Sequence, residues 1–86
     1  MGRPLDKRII TAYHSLVYDP GGWVMLSRLH DHLGEHKHDI DPVLIGMLKT
    51  RRIRLIAEVN QKMLTDYDRE CAVMFAGEPK HLYQLT

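Results

Sequence analysis

The chain has 86 residues, 44% of them hydrophobic and 27% charged. That is enough for one small core and too little for two, since a domain usually takes about 100 to 200 residues, and the balance is that of a globular chain, not a disordered tail or a fibre. Twelve Lys and Arg against eleven Asp and Glu give a formal net charge of +1, so bulk charge selects no partner class.

The single cysteine, Cys71, excludes an internal disulfide framework and a multi-cysteine zinc module, and it fits a reducing compartment. No long apolar run and no apolar N-terminal stretch are present, so the reading is a cytoplasmic protein without membrane span or secretion signal. Charge is unevenly placed along the chain. Lys49, Arg51, Arg52, Arg54 and Lys62 face the single acid Glu58, whereas residues 63 to 86 carry Asp66, Asp68, Glu70 and Glu78 against Arg69 and Lys80.

From Leu5 to Val17 the apolar residues Leu5, Ile9, Ala12, Tyr13, Leu16 and Val17 recur at steps of three and four, which predicts an amphipathic helix with Pro4 in its first turn. Asp19-Pro20-Gly21-Gly22 ends it. Trp23-Val24-Met25 favours a short edge strand, with Trp23 as a core anchor. A second helix fits residues 26 to 33, where Leu26, Leu29 and Leu33 share a face and Gly34 offers a left-handed exit. Glu35 to His38 reads as a turn. Asp39 or Asp41 then caps a third helix, with Pro42 in its first turn and an end near Thr50 to Arg52.

Ile53 to Val59 alternates as a strand. Thr65-Asp66-Tyr67-Asp68 has the form of a capping box opening a helical piece to Cys71 or Ala72. Residues 73 to 76 and 81 to 85 read as two strands joined by a hairpin turn at Gly77-Glu78-Pro79-Lys80. The expected core is Leu5, Ile9, Tyr13, Leu16, Trp23, Leu26, Leu29, Leu33, Leu44, Leu48, Ile53, Leu55, Leu82 and Leu85.

The order helix, short strand, helix, turn, helix, strands resembles the winged helix-turn-helix family over Leu5 to Leu85. Gly22-Trp23-Val24-Met25-Leu26-Ser27-Arg28-Leu29 resembles the junction of first strand and second helix in such domains, Asp39 to Arg52 the recognition helix, and Ile53 to Val59 the first wing strand. Asn60-Gln61-Lys62 through Leu64-Thr65, with Lys80-His81-Leu82, is similar to the tail of small actinobacterial winged-helix modules. The resemblance implies a single α+β winged-helix domain, bacterial and DNA-binding, acting as a small transcriptional regulator or accessory module. Two features depart from the family pattern: the recognition-helix segment opens on Asp39 and Asp41, and a helical turn interrupts the wing.

On that reading Lys37, His38, Lys49, Thr50, Arg51, Arg52, Arg54 and Lys62 are the candidate contacts to double-stranded DNA, with Lys80 on the wing side. Arg51 and Arg52 lie at the end of the third helix and suit phosphate contact better than base reading; a solvated helix end complementing the macrodipole is the alternative. A homodimer or a protein partner is the expected company, as one such module buries little DNA surface.

His30, His32, His36 and His38 form a dense cluster. Pairs at i and i+2 point to different sides of a helix, so an exposed turn is the reading and no metal or other cofactor is expected. No nucleophile elbow, phosphate loop or paired-carboxylate motif is present, so the chain is not expected to be an enzyme. The alternative function is a winged-helix protein-interaction module, and the discriminating feature is whether the cations join into one continuous face or are interrupted by acids.

Overall fold

A computed structural model describes residues 3–86. It is a mixed α+β fold with four α-helices and two antiparallel sheets among the described residues. The elements in chain order are α1 (Leu5–Leu16), β1 (Val24–Met25), α2 (Leu26–Leu33), α3 (Lys37–Lys49) and β2 (Ile53–Ile56), then a 3-10 turn (Gln61–Met63), α4 (Asp66–Glu70), β3 (Val73–Phe75), β4 (Glu78–Lys80) and β5 (Leu82–Leu85). No helix among the described residues is long and apolar enough to cross a membrane.

The first helix starts where the periodicity places it, with Pro4 as the N-cap residue just outside the first turn. Tyr13 donates from its hydroxyl to the Gly22 carbonyl at 2.6 Å, tying the loop after α1 back onto the helix. The second helix ends at Gly34, whose φ of 67° is the left-handed exit; an added Cβ would meet no neighbour there, so the backbone conformation alone asks for glycine.

The third helix begins two residues earlier than Asp39. His36 is its N-cap through backbone alone, its carbonyl accepting from Asp39 and Ile40 N–H at 3.0 and 3.1 Å. Asp39 and Asp41 therefore do not cap it: Asp39 lies in the first turn, where a carboxylate suits the positive helix end, and Asp41 pairs with Lys37 one turn away. Pro42 falls inside the helix and not in the first turn, its ring on the solvent side. The missing N–H costs one bond to the His38 carbonyl, which that exposed position leaves to solvent.

The three-stranded sheet has the order β1-β5-β2. Val24 is opposite Tyr83, and Tyr83 opposite Leu55, forming the inward row; Met25, Leu82 and Ile56 form the adjacent outward row. Strand alternation thus turns Trp23 outward like Met25, because Val24 between them is fully buried. Trp23 is 37% exposed and is not a core anchor. The expected hairpin turn at residues 77 to 80 is also corrected. Glu78–Lys80 is itself a strand, paired with Val73–Phe75 across the two-residue turn Ala76-Gly77. Both turn residues have positive φ, 54° and 80°, the geometry that two-residue hairpins favour. Pro79, which has no N–H to give, sits opposite Met74 in this two-stranded edge pair. Residues 82 to 85 instead run between β1 and β2.

One core holds all of this. Ile9, Ala12, Val24, Leu26, Leu29, Ile40, Leu44 and Tyr83 are wholly enclosed, each large aliphatic side chain contributing roughly 1.5–3 kcal/mol by burial. Cys71 and Val73, from the segment between β2 and β5, belong to the same cluster. Tyr83 packs edge-to-face on Tyr13 with centroids 5.6 Å apart and donates to the Ile9 carbonyl at 3.2 Å. Leu5, Leu16, Leu48 and Leu85 pack against the cluster from its rim.

Candidate functional site

The cations singled out in the sequence do not assemble at one place. Lys37 and His38 lie in the first turn of α3, Lys49 and Thr50 at its other end, about 18 Å away at 1.5 Å per residue. Arg51 follows with φ 62°, then Arg52, and Arg54 stands exposed on β2. Lys62 is on the 3-10 turn beyond the opposite end of β2, where the neighbouring Met63 shares a groove with Met25, Arg28 and Glu58.

Acids interrupt the set as well. Lys37 is paired with Asp41, His38 lies 3.5 Å from Asp39, and Arg52 donates to Asp6 at 2.9 Å. The Arg52 guanidinium holds the Asp6 carboxyl below the usual carboxylate range. Thr50 spends its hydroxyl on the Gly46 and Met47 carbonyls. What stays free at one corner is Lys49, Arg51 and Arg54, which make no ion pair among the described residues.

The exposed residues of α3 are Lys37, His38, Asp39, Pro42, Gly46 and Lys49. Pro42 and Gly46 have no hydrogen-bonding side chain, so the middle of this face offers no side-chain hydrogen bond to a base edge.

Between β2 and β5 the chain turns back onto the helices. Asp68, in the first turn of α4, accepts from the Ser27 hydroxyl of α2 at 2.5 Å and from the Thr65 N–H at 3.0 Å, while its own N–H donates to Thr65 Oγ1. The capping box expected from the sequence is complete, with Asp replacing Glu. These bonds, the Ser27 hydroxyl first, hold the Asp68 carboxyl low. Tyr67 donates to Asp31 Oδ1 of α2 at 2.7 Å, and that bond pushes its phenol well above its ordinary range. Arg69 reaches the Leu64 and Gln61 carbonyls. α4 packs on α2, and β3 against α3.

The histidines divide. His36 and His38 stack with rings 5.4 Å apart on the surface, and His32 is exposed. His30 is buried, correcting the expectation of an exposed turn, because the α2 spacing puts it on the side of Leu26, Leu29 and Leu33. Its Nε2 and Asp41 Oδ1 have no partner among the described residues, and burial pushes the imidazole pKa down. His81, also buried, accepts from the Glu58 N–H through Nδ1 at 3.1 Å. Among the described residues no three His, Cys, Asp or Glu side chains converge to hold a metal ion.

Sequence reasoning missed the outer face of the three-stranded sheet. Met25, Leu82 and Ile56 lie side by side there, flanked by Trp23 and Arg54, and Ile56 is 38% exposed. Near it Met63 is 74% and Val59 96% exposed. The signal was available in the odd spacing of Leu82 and Leu85, which sends them to opposite faces of one strand. Compared with protein-family models, curated proteins and solved structures, the chain matches none.

Proposed function

We propose that the chain is a winged-helix module that works by contact with protein. The winged-helix part of the reading is supported by the order α1, β1, α2, α3, β2, β5 with the last strand central in a three-stranded antiparallel sheet. The observation that carries the functional part is the course of residues 57 to 81. A wing that enters a DNA groove stands free of the helices; here residues 67 to 73 are bonded to α2 through Ser27–Asp68 and Asp31–Tyr67 and bury Cys71 and Val73 in the common core, while the β3–β4 hairpin from Met74 to Pro79 lies largely at the surface. The outward row of α3, with Pro42 and Gly46 at its centre, supports the same reading.

A second reading is favoured by one observation, the corner of Lys49, Arg51 and Arg54, whose charges are not neutralised within the described residues. It is duplex DNA binding through phosphates alone, as a regulator or accessory module, with Thr50, Arg52, Lys37, His38 and Lys62 as its further contacts. Fluorescence anisotropy of a labelled random duplex at two salt concentrations tests both. The protein-contact reading expects binding no tighter than the non-specific range of about 10⁻⁴–10⁻⁶ M at physiological salt. Nanomolar binding would overturn it. The phosphate reading expects Arg51→Ala/Arg52→Ala to weaken all sequences equally and to flatten the log-log salt slope by about 0.9 for each phosphate no longer neutralised.

A further inference from the structure

The outer face of the three-stranded sheet is apolar at its centre and oppositely charged at its two ends. The row Met25, Leu82 and Ile56 crosses all three strands. Along β2, Arg54 lies on this face two residues before Ile56, about 7 Å away at strand spacing. Two residues beyond Ile56, past the end of β2, comes Glu58, which shares the groove of Met25 and Met63 with Arg28 and Asp68, a groove with one cation and two carboxylates. Neither Arg54 nor Glu58 makes an ion pair among the described residues; the Glu58 carboxylate accepts only from the nearby Asn60 N–H, at 3.0 Å.

A pattern of cation, apolar row and anion, in that order from Arg54 through Ile56 to Glu58, is complementary to itself. A twofold axis laid along the row, in the plane between two facing sheets, reverses the direction of β2 in the second copy. Ile56 and Leu82 then meet their own symmetry mates, and Arg54 of each copy faces Glu58 of the other. This is the residue-to-residue reciprocity that an isologous interface demands, and sheets packed face to face about 10 Å apart let both side chains reach.

We propose that the outer face of the β1-β5-β2 sheet is an isologous dimer interface and that its occupant is a second copy of this chain. The inference deepens the protein-contact reading by naming a partner, and it rests on that reading. The two unpaired charges select this occupant over an unrelated apolar segment, because a second copy, its β2 reversed, supplies both counter-charges in the opposite order. It also accounts for a Trp, a Met and an Ile left partly open on one face of so small a fold.

The test is a charge exchange read by sedimentation equilibrium from about 1 μM to about 1 mM, a range suited to an interface of modest size. The parent is expected to rise towards twice the mass of one chain. Arg54→Glu and Glu58→Arg should each lose self-association at least tenfold, since every pairing in either homodimer becomes like-charged. An equimolar mixture of the two should regain it, because the acid introduced at position 54 of one chain faces the base introduced at position 58 of the other, and the second pair is native. Circular dichroism checks that each variant is folded, and the parent's own mass decides the question should either fail to fold. A parent that stays monomeric throughout, single variants that associate like the parent, or a mixture that stays monomeric would each overturn the dimer. The two readings fail separately: a parent that dimerises yet binds duplex DNA at nanomolar concentration sinks only the protein-contact function, whereas a monomeric parent that ignores DNA sinks only this interface.

Discussion

Replacing Asp68 with alanine tests whether the segment between β2 and β5 is welded to the helices. The carboxylate has two tasks: it accepts the Ser27 hydroxyl across 2.5 Å, and it closes the capping box with Thr65. A hydrogen bond to a charged group is worth roughly 1.5–3 kcal/mol; because Asp68 is partly exposed, about 1 kcal/mol is the sounder figure. Losing the Asp68 half of the capping box, while Thr65 Oγ1 still accepts from the backbone N–H of residue 68, adds about 0.5 kcal/mol. The sum of about 1.5 kcal/mol lowers the melting temperature by about 6–12 °C for a domain of this size. Since Cys71 and Val73 share the core with Ile9 and Leu44, the loss is global, and urea unfolding should remain a single transition with an unchanged slope. A double-mutant cycle with Ser27→Ala should return a coupling of about 1 kcal/mol. The low pKa of the Asp68 carboxyl also fixes the sign with pH: its contribution is present above the ordinary carboxylate range and is lost as pH falls below about 4. A melting temperature unmoved by Asp68→Ala, or additivity of the two substitutions, would refute the tether.

Three further outcomes follow from single residues. His30 is buried with a lowered pKa, faced by Asp41 and Lys37 of α3 and Asp31 of its own helix. The unfolded chain therefore binds the proton first, and stability should fall as pH drops below about 6.5; between pH 7.5 and 5 the melting temperature of the parent should fall further than that of His30→Phe, and parallel curves would count against this. Gly46→Ala should raise stability by about 0.5–1 kcal/mol, because the position is inside α3 and a Cβ there meets no neighbour; a lower chemical-denaturation midpoint would contradict this. Gly34→Ala should destabilise by about 1 kcal/mol or more, the backbone there being left-handed at φ 67°, and the same denaturation curves check it.

The helices are legible because periodicity and punctuation agree in them. Leu26, Leu29, Leu33 and Gly34 mark both the face and the end of α2, and Thr65 with Asp68 announces α4. The sequence misleads where one local signal competes with another. Asp39 and Asp41 look like caps, but the carbonyl of His36 accepts from the Asp39 and Ile40 N–H groups and opens the helix two residues earlier, leaving Asp39 in its first turn. Gly77-Glu78-Pro79-Lys80 has turn composition throughout, yet only Ala76 and Gly77 turn. Leu82 and Leu85 both read as core residues by type, although a strand cannot face them the same way; the side chain that anchors β5 is Tyr83 between them. As for the site, the cations are easy to count but their separation is not legible, since it depends on the length of α3 and on the partners Asp6 and Asp41. The return of residues 57 to 81 onto α2 rests on a bond between Ser27 and Asp68, 41 positions apart, for which a single sequence carries no local signal.

Whether the surface of α3 and the returned segment read DNA is tested most directly by residue-resolved nuclear magnetic resonance. A ¹⁵N-labelled chain titrated with random duplex DNA at low salt should leave the amides of residues 37 to 41 and 61 to 75 in place, with small, salt-erased shifts confined to residues 49 to 54. Saturable shifts of His38, Asp39 and residues 73 to 80 that persist at physiological salt would contradict the protein-contact function.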